Sequence, residues 1–173
     1  MLDWLCSFPW TYSYTAGIIG FIFGIGVFLT YLLGVYQTKG ILKSISISYY
    51  AVEPRWLFQA FMWASIACIG LIGQNWLYMI VCALFSIMTC NPTINRGNVY
   101  FIPHLIGAIG AITLASLGIG LCFGLWWIVL AEILSLSITA FINIKKNTGH
   151  TVYWIEVVSI SYMIIGLFLG RIL

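Results

Sequence analysis

Carboxylic acids are scarce in this chain: Asp3, Glu53, Glu132 and Glu156 are the only four among 173 residues. Glu132 and Glu156 fall inside long apolar stretches. An ionisable group at membrane depth is costly and marks a functional site by default. Glu156 stands a few residues into the last apolar stretch, and His104 has a similar position in another, directly after Pro103. Gln59 is one turn into a third stretch, with Arg55 at its mouth. These sequence-distant groups share one depth. Histidine titrates near neutral pH, so lining a common cavity they could bind a polar head group, an ion or a proton. The same groups could instead pair across helices, where polar contacts contribute about 0.6–2 kcal/mol each. Glu132 stands apart at mid-depth in "WWIVLAEILSLSITAF". Ser135 and Thr139 follow it at i+3 and i+7, so that helix face is weakly polar and is expected to point inward.

Other chemistries find no pattern. Zinc needs three or four ligands, and the sequence has neither HxxxH nor HExxH. No GxSxG marks a nucleophilic serine, so no catalytic residue is expected. The five cysteines, Cys6, Cys68, Cys82, Cys90 and Cys122, form no CxxC. Their spacing supports neither a disulfide nor a metal, and the three or four that fall inside apolar stretches read as small hydrophobes. No lysine lies within an apolar stretch to hold retinal, and there is no selectivity-filter motif or arginine-rich voltage sensor. No cofactor is expected. Basic residues are scattered, without the stripe that nucleic acid requires.

The elements that must carry these groups follow from composition. The chain is 62% hydrophobic and 6% charged, with mean hydropathy +1.07. Soluble domains carry about 25% charged residues, so the expected fold is all-α, a polytopic membrane helical bundle of six transmembrane helices in one domain. A span needs about 20 apolar residues. The candidates are 15–36, 56–73, 76–90, 99–122, 125–143 and 152–171. The tight connections "GQN" and "FG" make two antiparallel hairpins, and the third span is short enough to imply local thinning or burial. The N-terminus has no basic region or cleavage pattern of small residues, so no signal peptide is expected.

Basic residues set the orientation. Lys39, Lys43 and Arg55 fall in loop 37–55, Arg96 in loop 91–98, and Lys145 and Lys146 in loop 144–151, against Arg171 alone at the other side. Those three loops are expected in the cytoplasm and both termini outside, in a bacterial inner membrane. Trp4, Trp10, Tyr12, Tyr14, Trp76, Tyr78, Trp126 and Trp127 would form the outer aromatic belt, and Tyr49, Tyr50, Trp56, Tyr100, Tyr153 and Trp154 the inner one. Gly20 and Gly24, after Ala16, and Gly166 with Gly170 repeat at four-residue spacing, which lets backbones approach closely. Their partner could be a helix of the same chain or of a second copy, so a homo-oligomer through these faces is among the expectations, beside the lipid bilayer itself.

The segment "SISISYYAVEPRW", Ser44 to Trp56, interrupts the apolar pattern. Its period-two alternation favours an extended interfacial strand of chain, and Pro54 suits the first turn of the helix that follows. Taken with "RWLFQAFMW" and "NVYFIPHLIGAIGAI", it resembles a family of small six-span bacterial membrane proteins of unknown function, which in turn look like distant relatives of the autophagy-modulator and GPI-remodelling six-span families. The resemblance rests on Ser44, Ser46 and Tyr50, on Trp56 to Phe58, and on His104 with Gly107 and Ala108. It implies architecture and no reaction, and it groups Ser44, Ser46, Tyr50 and His104 in one site. The expected ligand-binding set is therefore Ser44, Ser46, Tyr50, Arg55, Gln59, His104, Glu132 and Glu156. The functional expectation is a lipid- or small-molecule-binding site at the cytoplasmic leaflet. The alternatives are a substrate-binding subunit of a vitamin transporter, an oligomeric pore and a purely structural subunit.

Overall fold

A computed structural model describes residues 3–7, 12–39, 56–91 and 99–173. Among them every regular element is helical. A short α1 (Asp3–Cys6) precedes α2 (Tyr14–Lys39), α3 (Trp56–Gly73), α4 (Trp76–Cys90), α5 (Phe101–Phe123), α6 (Trp126–Lys145) and α7 (Thr151–Ile172). Four helices are long and apolar enough to cross a membrane, over Tyr14–Gln37, Phe101–Phe123, Trp126–Lys145 and Thr151–Ile172. The remaining two apolar stretches, Phe58–Gly73 and Trp76–Cys90, are shorter. The expected segments 56–73 and 76–90 coincide with α3 and α4, while α2 and α6 run a little further than 15–36 and 125–143. Ser44, Ser46, Tyr50 and Arg55, together with the period-two stretch, lie outside the described residues.

The turns explain where helices stop. Between α3 and α4, Gln74 takes a left-handed conformation (φ 42°). Its side-chain amide pairs with the backbone of Ser13, accepting from the Ser13 N–H at 2.9 Å and donating to its carbonyl at 3.1 Å. Asn75 then caps α4 by accepting from the Tyr78 N–H at 2.9 Å, satisfying one of the donors that a helix start leaves open. Gly124 ends α5 at φ 70°, a left-handed position natural to glycine. Both hairpins expected from "GQN" and "FG" are present.

Successive helices run in opposite directions, so the bundle has two ends. One gathers the starts of α3, α5 and α7 and the finishes of α2, α4 and α6. It is called the basic end, because α2 and α6 finish at Lys39 and Lys145. The opposite end holds α1 and the turns after α3 and α5. Helix α7 packs on α2, α3, α5 and α6, and α4 sits between α3 and α5. The core forms around Ile72, Tyr78, Val81, Ala111, Ala115 and Leu167, all fully or nearly fully buried. A second cluster near the basic end joins Phe28, Tyr31, Phe58, Phe61 and Tyr153, with Tyr31 stacked on Phe61 at 3.9 Å between centroids.

The outside of the bundle is as apolar as the inside. Ile22, Phe23, Leu130 and Phe141 are each more than 60% exposed. Helices that are hydrophobic all round belong in lipid. Trp4, Trp76, Trp126 and Trp127 are exposed, as the belt requires. Tyr78 and Tyr153 depart from it: both are buried. Their rings fill space between helices, and the Tyr78 hydroxyl donates to the Ala115 carbonyl at 2.9 Å. The glycines close helix pairs inside the chain. Gly20 and Gly24 face Cys68 across α2 and α3, Gly166 faces Ile119, and Gly170 faces Phe123 across α5 and α7.

Candidate functional site

The basic end brings two of the expected residues onto one target. Gln59, one turn into α3, donates from Nε2 to the Thr89 carbonyl at 3.1 Å. His104, in the first turn of α5, places Nδ1 3.3 Å from the Met88 carbonyl. These are adjacent carbonyls in the last turn of α4, and the Met88 carbonyl also accepts from the Asn91 N–H at 3.2 Å. At 15 residues, α4 is about 22 Å long, against roughly 30 Å of hydrocarbon. End carbonyls of a helix in lipid must be satisfied by protein; Gln59 of α3 serves the Thr89 carbonyl, and His104 of α5 adds a second contact to that of Met88. Truncating either residue to alanine is expected to cost about 0.6–2 kcal/mol, read as a lower midpoint of thermal unfolding in detergent. The double variant should cost close to the sum, because the two side chains serve different carbonyls.

Glu156 lies half-buried on α7, one turn beyond Tyr153, at the same end. Gln59 and His104 therefore meet at the finish of α4, while Glu156 lies at the same end of the bundle.

Glu132 is separate. It is 98% buried, its relative exposure being 2%, in the interface of α6 with α5 and α7. The nearby Ser116 hydroxyl of α5 donates to the Ile112 carbonyl at 3.0 Å, and Glu132 Oε2 has no partner. The neighbouring polar contact on that face joins Ser135 and the Tyr162 hydroxyl at 2.8 Å. The face therefore points inward, as its serine and threonine predicted. An unpartnered buried acceptor costs about 1–3 kcal/mol. Replacing Glu132 with leucine is accordingly expected to raise stability by about 1 kcal/mol. A purely structural carboxylate would instead lower it on removal, so the sign of the change in unfolding midpoint distinguishes the two roles.

The end away from the basic loops is more elaborately built than the sequence implied. Cys6 and Cys122 form a disulfide, with Cα atoms 5.1 Å apart and a sequence separation of 116. This corrects the expectation that the cysteines form no disulfide and act as small hydrophobes where they fall in apolar stretches. Cys68 and Cys82 fit that reading and are buried, whereas Cys90 is free and exposed. Linear spacing could not reveal a bond between an N-terminal segment and the finish of α5. The available signal was that both cysteines map to the same end once helix directions are assigned.

Arg171 folds back from the last turn of α7. Its Nε donates to the Ile72 carbonyl at 3.2 Å, and its guanidinium lies 4.5 Å from the Tyr12 ring and 4.8 Å from the Phe123 ring. Burial holds the Tyr12 phenol above its ordinary value of 10, with Arg171 pulling the other way. Two donors at this end remain unused: Arg171 Nη2 and Asn75 Nδ2, both buried. Sequence reasoning treated Arg171 only as an orientation marker and did not single out Asn75.

Between α2, α3 and α7 lies a cavity of about 30 Å3, lined by Gly24, Phe28, Ile69, Ile164 and other apolar side chains. Such a lining keeps it dry. Among the described residues no group of three or more histidine, cysteine or acidic side chains is placed to hold a metal ion. The chain matches no protein-family model, no curated protein and no solved structure.

Proposed function

We propose that the chain is a six-span integral membrane protein, with both termini outside, that binds a lipid head group or small polar molecule at the cytoplasmic leaflet. The supporting observation is the short helix α4. It has 15 residues, fewer than either helix packed beside it, and Gln59 and His104 reach the Thr89 and Met88 carbonyls in its last turn. The proposed site is built on this helix end, with half-buried Glu156 at the same end of the bundle and Arg55 directly preceding α3 in the sequence. Ser44, Ser46 and Tyr50 belong to the segment that would rim it. The six basic residues of the adjoining loops favour a phosphate-bearing ligand. The proposed resemblance to six-span bacterial membrane proteins agrees with this architecture.

The disulfide supports the orientation independently of charge. Disulfides persist in oxidising compartments, and this one sits at the end opposite the basic loops. Native mass spectrometry of the detergent-purified chain tests the reading. Retained phospholipid that is lost in Arg55→Ala and kept in Gly26→Ala, a position whose added Cβ meets nothing within 4 Å, is the expected result. A chain that retains no lipid, or retains it equally in Arg55→Ala, would refute it. Labelling of an N-terminal tag from the cytoplasmic side would refute the orientation.

A further inference from the structure

We infer that Arg171 and Asn75 form a second site, at the disulfide end, for the oxygens of a phosphate group. This site is independent of the one proposed at the basic end.

Arg171 and Asn75 converge on one turn. Arg171 reaches from α7 to the Ile72 carbonyl at the finish of α3, and Asn75 stands three residues further along that same chain. Asn75 is 1% exposed. Its Oδ1 is committed to capping α4 through the Tyr78 N–H, which fixes the orientation of the amide and leaves Nδ2 as the free donor. Nη2 of Arg171 is likewise buried and unpartnered. The aromatic faces of Tyr12 and Phe123 flank the guanidinium, and they offer a cation partial compensation without a hydrogen-bond acceptor. The Tyr78 hydroxyl is engaged by Ala115.

The chemistry that completes this arrangement is specific. Buried donors in native proteins have partners, so each N–H implies an acceptor. A cation at membrane depth also needs a counter-charge, which a water molecule cannot supply. An anion with several oxygens supplies both. The depth selects among anions, because exposed Trp76, Trp126 and Trp127 place this end at an interfacial aromatic belt, the level of lipid phosphates. Arginine is the cation suited to phosphate, presenting several donors in a fixed plane. The phosphate could belong to an outer-leaflet lipid or be free in solution, and the two sources are separable.

The test uses the full chain, purified and delipidated in detergent, and follows the midpoint of thermal unfolding. One arm adds inorganic phosphate against chloride at equal ionic strength. The other compares bilayer discs of phosphatidylglycerol with discs of a phosphate-free glycolipid. Occupancy of the site is expected to raise the midpoint by about 2–4 °C. A rise with phosphatidylglycerol alone identifies a lipid phosphate, and a rise with inorganic phosphate as well identifies a site open to the free anion. Arg171→Gln removes the charge and Asn75→Ser removes Nδ2 while keeping a capping oxygen for α4. Each should abolish most of the rise, and Asn75→Ser decides alone if Arg171→Gln does not fold. No rise with either probe overturns the inference, as does a rise that survives Asn75→Ser.

Discussion

Cleaving the Cys6–Cys122 bond lowers the stability of the folded bundle by about 2–4 kcal/mol. Helix α1 has four residues, far below the length at which a helix holds itself together. Its backbone tie to the bundle is a long hydrogen bond, from the Trp76 N–H to the Ser7 carbonyl at 3.4 Å. The covalent link therefore fixes the N-terminal segment on the finish of α5. A cross-link spanning 116 residues would restrict a water-soluble unfolded chain strongly. In a bilayer, helices remain inserted when their packing is lost, so the unfolded ensemble is already confined and the effect should fall toward 2 kcal/mol. Two measurements check it. Cys122→Ser, compared with the unreduced parent, should unfold at a lower temperature. Under denaturing conditions, a thiol reagent should label three cysteines before reduction and five after, since Cys68, Cys82 and Cys90 are free. Labelling of all five without reductant would dispose of the bond.

The disulfide also shows what kind of information a sequence of this type carries. Helix positions were legible because their cause is local: uninterrupted apolar runs punctuated by Gln74–Asn75 and by Gly124. The directions of the helices followed from the same alternation. Pairings between distant elements have no such local cause. Cys6 and Cys122 are unremarkable in their own neighbourhoods and meet only because α1 lies across the end of α5. Arg171 carries a basic residue's signature of orientation, yet its side chain turns inward to Ile72. Tyr78 and Tyr153 share the composition of an interfacial belt and were buried by helix packing, which hydropathy does not encode. His104 and Gln59 were placed at the correct depth by counting along their helices. The shortness of α4 was legible in the span 76–90, but their carbonyl partners were not, because nothing in the sequence says which helices flank its end.

Gly107→Ala is expected to destabilise the bundle by about 1–3 kcal/mol, and Gly107→Val by more. The reason is the nature of the contact. A Cβ at Gly107 would lie 2.6 Å from the Leu84 carbonyl oxygen, 2.7 Å from the Met88 nitrogen and 3.0 Å from the Met88 Cβ. Two of these are backbone atoms of α4, which cannot rotate away, so relief requires α5 to move off α4. That interface is the most extensive in the molecule, and its apolar packing must open along with it. The movement would also draw His104 away from the Met88 carbonyl, at present 3.3 Å from Nδ1. Gly107→Ala and His104→Ala should consequently be less than additive, whereas Gly107→Ala and Arg171→Gln, at opposite ends, should add. Gly26 supplies the control. A Cβ there meets nothing within 4 Å, and alanine is the better helix former by up to about 1 kcal/mol, so Gly26→Ala should be neutral or slightly stabilising. Unfolding midpoints of the five single variants and the two double variants in one detergent measure all of this. Equal tolerance of alanine at positions 26 and 107 would mean that α4 and α5 do not meet through Gly107. In that case His104 would no longer be positioned at the Met88 carbonyl, and the proposed site at the basic end would lose the helix end it is built on.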